Sequence, residues 1–121
     1  MDDKTTALGP YLRKRREALL ANDRSFSVRQ VAARAEVEPS YLSKIERGKE
    51  APPSEATIRR LAVVLNEDPD VLLALAGKVS ADLQAVICKR PQLFAELIRQ
   101  LADLPDHAVL RVAREVRDGS W

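Results

Sequence analysis

Cysteine and histidine are almost absent from this sequence: Cys88 and His107 are the only examples of each. One cysteine forms no internal disulfide, and the expectation is a reduced, buried thiol in a cytosolic protein. One histidine, with no third group placed to orient it or the cysteine, supplies neither a catalytic triad nor a metal site. Glycines number four and are scattered, so no phosphate-cradling loop is present. The expectation is therefore a non-enzyme without metal or cofactor. Aromatic residues make up only 4% of the chain and period-two alternation is missing, which argues against a sheet. Long apolar runs are missing too: "LAVVL" and "VLLALA" are far too short to span a bilayer. The opening "MDDKTTALGP" is acidic and has no apolar stretch, unlike a signal peptide. Together these point to a cytoplasmic protein with no membrane contact.

What is present is charge, unevenly placed. The formal net charge is +2, yet residues 4–49 hold 11 Lys/Arg against 5 Asp/Glu, while residues 51–121 hold 9 against 10. A basic front half on a near-neutral remainder suits a polyanion partner. Every segment with a readable hydrophobic period is helical. Residues 8–21 form a first helix carrying "RKRR", broken by "ANDRS". Ser27 caps a second helix, with Gln30 at the capping-box position and Val28, Val31, Ala32 and Ala35 inward. After the turn "EVE", Pro39 opens a third helix and Gly48 ends it, with Tyr41, Leu42 and Ile45 on its packing side. Ser54 caps a fourth helix over 55–65, and a short fifth covers 71–76. Three more helices follow, in "SADLQAVICKR", "PQLFAELIRQLADL" and "PDHAVLRVAREVR".

The second and third helices are too short to stand alone and lie too close together to avoid one another. Such a pair is a helix-turn-helix, in which the N-terminal end of the second helix projects and can enter a major groove. Over residues 8–77 the chain resembles the Xre/lambda-repressor-like family, on "LRKRRE", "SVRQVAARAEV", "SYLSKIERGK" and "PPSEATIRRLAVVL". That resemblance implies a five-helix DNA-binding domain, placed over 1–77; with the three helices that follow, the expectation is an all-α fold whose residues 78–121 form a dimerisation region. It implies that Pro39, Ser40, Ser43 and Lys44 reach base edges, and that Ser27, Arg29, Gln30 and Lys49 meet phosphate. It also implies an internal ion pair between Arg16 and Glu46, with Arg13, Lys14 and Arg15 as weaker phosphate candidates. The family's usual turn glycine is replaced by Glu36, and a left-handed residue there costs about 1 kcal/mol when it has a Cβ.

The last three helices carry a wide apolar stripe: Leu93, Phe94, Leu97, Ile98, Leu101, Val109, Val112 and Val116. About forty residues bury too little to fold unaided, so the stripe needs a partner. A helix-turn-helix monomer reads half a site, and a symmetric dimer on a near-palindromic operator completes it. The reading is a transcriptional regulator of the repressor kind, binding double-stranded operator DNA as a homodimer. Two alternatives stay open: an antitoxin whose C-terminal helices sequester a toxin, and an adaptor that keeps the fold but binds protein only. The C-terminal region also looks like that of small repressors cleaved by an ImmA/IrrE-type zinc peptidase, which would then be a partner.

Overall fold

The computed structural model describes residues 6–121, and among them it is all-α: eight α-helices, one 3-10 turn and no strand. The acidic start with Asp2, Asp3 and Lys4 lies outside the described residues. The chain divides into two compact units, Met1–Ser80 and Ala81–Trp121. The first holds α1 (Leu8–Leu20), the 3-10 turn Arg24–Phe26, α2 (Val28–Arg34), α3 (Pro39–Glu46), α4 (Glu55–Leu65) and α5 (Pro69–Leu75). The second holds α6 (Ala81–Lys89), α7 (Pro91–Ala102) and α8 (Asp106–Asp118).

Local chemistry sets the helix ends in the first unit. Ser27 Oγ accepts from the Gln30 amide at 3.2 Å, and Ser54 Oγ from the Thr57 amide at 3.3 Å. Both satisfy first-turn N–H groups that the helix itself cannot. Asp68 does the same from the Asp70 amide at 2.8 Å, so α5 begins at Pro69, two residues before the expected start at 71. The segment expected only to break the first helix instead holds the 3-10 turn, capped by Asp23 from the Ser25 amide at 2.9 Å. That donated N–H holds the Asp23 carboxyl below the usual carboxylate range.

Helices α2 to α5 all stop the same way. Glu36, Gly48, Asn66 and Gly77 each adopt a left-handed conformation, with φ of 62°, 71°, 54° and 74°. The amide that follows each one bonds back five residues: Val37 to Ala32 O at 2.9 Å, Lys49 to Lys44 O at 2.8 Å, Glu67 to Ala62 O at 2.9 Å and Lys78 to Leu73 O at 2.8 Å. These are Schellman ends, and they consume carbonyls that would otherwise be orphaned. Glu36 therefore does sit in the left-handed region, with a Cβ that glycine would not carry. Glu36→Gly is expected to raise stability by about 0.5–1 kcal/mol, after the added freedom of the unfolded chain is subtracted. Chemical denaturation checks this, and a midpoint that falls would show that the Glu36 side chain stabilises the turn.

The core of this unit joins all five helices. Leu8, Leu12, Val31, Ala32, Ala35, Leu42, Ile45, Ile58, Leu61, Ala62, Leu65, Leu72, Leu73 and Ala76 are buried, and Phe26, Val28, Val37 and Tyr41 pack half-buried against them. Gly9 marks the closest approach of α1 to the end of α3. A Cβ there would lie 2.3 Å from the Ile45 carbonyl oxygen, closer than any side chain can go.

The second unit is of a different kind. None of its three helices has a fully buried residue. Cys88 is exposed, which corrects the expectation of a buried thiol. It ends an apolar run on α6, but no element of its own unit covers it.

Candidate nucleic-acid interface

The helix-turn-helix is α2, the four-residue connection 35–38, and α3. Three attachments fix its angle. Val31 and Ala32 of α2 and Ala35 just after it are buried in one cluster with Leu42 and Ile45 of α3, with Ala32 fully enclosed. Arg60 of α4 donates from Nε to the Ala35 carbonyl at 2.9 Å and from Nη2 to Thr57 Oγ1 at 3.1 Å, so the turn is braced from outside. The third is the ion pair of Arg16 with Glu46. Nε lies 2.7 Å from Oε2 and Nη2 2.9 Å from Oε1, while Nη1 reaches the Phe26 carbonyl at 3.3 Å. Both side chains are nearly sealed from solvent, at 7% and 4% exposure. The hydrogen bond to Glu46 raises the Arg16 pKa further above its ordinary value. Arg16 thus spends its guanidinium inside the domain, tying α1 to α3 and to the 3-10 turn.

With the inner face occupied, the outer face of α3 is what remains. Pro39 occupies its first turn, where the missing N–H costs nothing. Pro39, Ser40 and Lys44 are exposed and Ser43 is half-buried. Positions 40, 43 and 44 share one side of a helix by their spacing. Arg47 extends the same row and is exposed, its Nε donating to the Ser43 carbonyl at 3.3 Å. Tyr41 turns the other way and packs on the core. Lys49, just past Gly48, is exposed.

At the start of α2, Arg29 and Gln30 are exposed and Ser27 is half-buried. The Ser27 oxygen is engaged by the cap, but its hydroxyl hydrogen is still available to an acceptor outside. The "RKRR" run of α1 separates by role. Arg13 pairs with Glu17 at 3.2 Å, and Arg15 pairs with Glu67 at 2.9 Å while donating to the Leu65 carbonyl at 3.1 Å. Arg15 is thereby committed to the end of α4, where Tyr11 also donates to Glu67 at 2.6 Å. Lys14 is exposed.

Sequence reasoning did not single out Gly9, Arg60 or Arg34. Arg34 stacks its guanidinium 4.7 Å from the centre of the Phe26 ring and donates to the Ser25 carbonyl, so it locks the 3-10 turn to α2. In the second unit Leu93, Leu97, Ile98 and Val116 are exposed, while Phe94, Leu101, Val109 and Val112 are half-buried. His107 is exposed on α8. Among the described residues no cluster of histidine, cysteine and carboxylates could hold a metal ion, and no helix is long and apolar enough to cross a membrane.

Comparison with known proteins agrees with this geometry. The family model described as "Helix-turn-helix domain" matches residues 7–75. A Bacillus subtilis (strain 168) protein named "Uncharacterized HTH-type transcriptional regulator RghRB" is 36% identical over 74 residues, which cover 61% of this chain and 52% of that protein. The chain thus spans about half the length of the curated relative it matches. No solved structure matches it significantly. With its turn braced by Arg60, its buried Arg16–Glu46 pair and a family match across more than half its length, the chain belongs to the helix-turn-helix domain family.

Proposed function

We propose that this protein is a cytoplasmic, sequence-specific DNA-binding transcriptional regulator of the Xre/lambda-repressor-like type, acting as a repressor on a near-palindromic operator. The observation that carries the reading is the outer face of α3, which leaves Pro39, Ser40 and Lys44 exposed while everything behind them is locked. Lys44 donates to guanine O6 or N7, Ser40 and Ser43 bond a donor or an acceptor, and Pro39 offers apolar contact to a thymine methyl. Arg29, Gln30, Ser27 and Lys49 hold the flanking phosphates, which fix register and orientation. The relative's name, an HTH-type transcriptional regulator, supports the same assignment.

The base and phosphate roles separate by experiment. Lys44→Ala is expected to weaken specific binding by about 1–3 kcal/mol and to relax discrimination at one base pair per half-site. Lys49→Ala is expected to weaken all sequences alike and to lower the salt slope by about one. Competition binding across a panel of duplexes at several salt concentrations measures both. An unchanged sequence preference in Lys44→Ala would remove α3 as the reading element.

The second unit is assigned to homodimerisation, through Leu93, Phe94, Leu97, Ile98, Leu101, Val109, Val112 and Val116. Two features support this. The unit leaves large apolar side chains exposed and has no buried residue of its own. Residues 81–121 also hold six Lys/Arg and six Asp/Glu, so two copies meet without net repulsion. The same apolar face also favours an antitoxin reading, in which it sequesters a toxin. Co-purification of a small partner in place of a second copy would decide for that.

A further inference from the structure

We propose that Glu38 is a further specificity-determining residue, which selects cytosine at the leading end of α3. The inference rests on the DNA-reading role given to α3 above. It starts from an accounting of negative charge. Residues 4–49, the basic part of the chain, hold only five carboxylates: Glu17, Asp23, Glu36, Glu38 and Glu46. Three are engaged in the fold. Glu17 pairs with Arg13, Asp23 caps the 3-10 turn and Glu46 is buried with Arg16. The two without a hydrogen-bond or ion-pair partner among the described residues both lie in the connection between α2 and α3.

Of these two, Glu36 is the left-handed residue that closes α2, whereas Glu38 is the residue from which α3 departs. Glu38 is exposed, its backbone is extended, and its side chain makes no capping bond to the helix it precedes. Capping would have given the carboxylate a local role, as it does for Asp23 and Asp68. Instead an uncommitted negative charge stands beside Pro39 and Ser40, at the end of the helix that enters the groove.

A carboxylate brought against duplex DNA is repelled by phosphate unless it finds a donor. It can only accept hydrogen bonds. In the major groove guanine offers N7 and O6, both acceptors, and thymine offers O4 and a methyl group. Adenine offers the N6 donor with the N7 acceptor beside it, and cytosine offers the N4 donor alone. Cytosine is thus the base edge that satisfies a carboxylate without placing a second lone pair against it. The other three are penalised by repulsion or by an unsatisfied charge, so Glu38 acts as much by rejecting wrong bases as by binding the right one.

Binding-site selection from a randomised duplex library, with the full-length wild type, Glu38→Ala and Glu38→Gln, tests this. The wild type is expected to select cytosine at one position of each half-site. Glu38→Ala should lose about tenfold discrimination at that position and at no other. Glu38→Gln should move the preference there to adenine, whose N6 and N7 a carboxamide meets as acceptor and donor. The Glu38 side chain makes no hydrogen bond or ion pair among the described residues, and its backbone role is open to any residue, so equal melting temperatures are expected for all three proteins. A wild-type motif that Glu38→Ala leaves unchanged overturns this inference alone, including the case where the variant binds every duplex more tightly by one common factor. A wild type with no sequence preference overturns the DNA-reading role of α3, and this inference with it.

Discussion

Arg16→Ala is expected to cost about 3–5 kcal/mol of stability, the range for breaking a buried ion pair by removing one partner. The loss arises chiefly from what is left behind. Glu46 would keep its carboxylate in a site that is 4% exposed, with its two donors from Arg16 gone, and the Phe26 carbonyl would lose the donor from Nη1. A unit of this size has about 4–12 kcal/mol in total, so the variant should melt at least ~10 °C lower and be partly unfolded at warm temperatures. Arg16→Lys should rescue little, because an ammonium cannot span both carboxylate oxygens and the Phe26 carbonyl in one plane. The double variant Arg16→Met/Glu46→Leu should recover most of the loss, since an apolar pair of similar volume leaves no charge unpaired. Because Arg16 is consumed internally, the salt slope of DNA binding by the folded fraction should not change. An unchanged melting temperature with a reduced slope would make Arg16 a phosphate contact instead.

The elements legible in the sequence are those whose chemistry is local. Ser27, Gly48, Ser54 and Gly77 begin or end helices through bonds spanning a few residues, and Pro39 opens one through its fixed φ, so their types and spacing carry the information. Glu36 was legible as a departure from the expected turn glycine, and its left-handed φ of 62° follows from that turn. What was not legible depends on distant partners. Gly9 must be glycine because of the Ile45 carbonyl, 36 residues away in the chain, and in isolation it reads as a poor residue for a helix. Arg60 sits on α4 in a run of two arginines, and only the folded chain brings it to the Ala35 carbonyl. Arg15 and Arg16 are neighbours of one type, yet one reaches the end of α4 and the other is buried against α3. Their 100° separation around the helix is readable, but what waits on each side is not.

Cys88 shows the opposite failure. A single unpaired cysteine in a cytosolic setting suggested burial, but residue type tells what seeks cover and not whether cover is present. Leu93, Leu97, Ile98 and Val116 differ from Cys88 in this respect: the stripe marked them as needing a partner, and they are exposed in the single chain. Apolar side chains left exposed together in this way support the interaction face proposed for the second unit.

Truncation after Ser80 should leave a folded monomer that binds its operator about 10²–10⁴-fold more weakly than the full chain. The cut belongs at the division between the two units rather than at Gly77, because Lys78 still bonds within the first unit, its Nζ donating to the Pro53 carbonyl at 2.9 Å. The fragment retains the whole core from Leu8 to Ala76, so its melting should remain cooperative. What it loses is linkage: two half-site modules held in one dimer bind the second half-site at the effective concentration of a tether rather than from bulk solution. Leu97→Asp and Ile98→Asp should reproduce the truncation within the intact chain, because a carboxylate in a dimer seam would be desolvated without a partner. Those two side chains are 46% and 52% exposed in the single chain, so the changes should not disturb the fold of a monomer. Sedimentation gives the assembly state and titration of labelled operator gives the affinity. A full-length chain that sediments as a monomer while binding the whole operator at full strength would sink the dimer and leave the apolar face of α7 and α8 to a different protein.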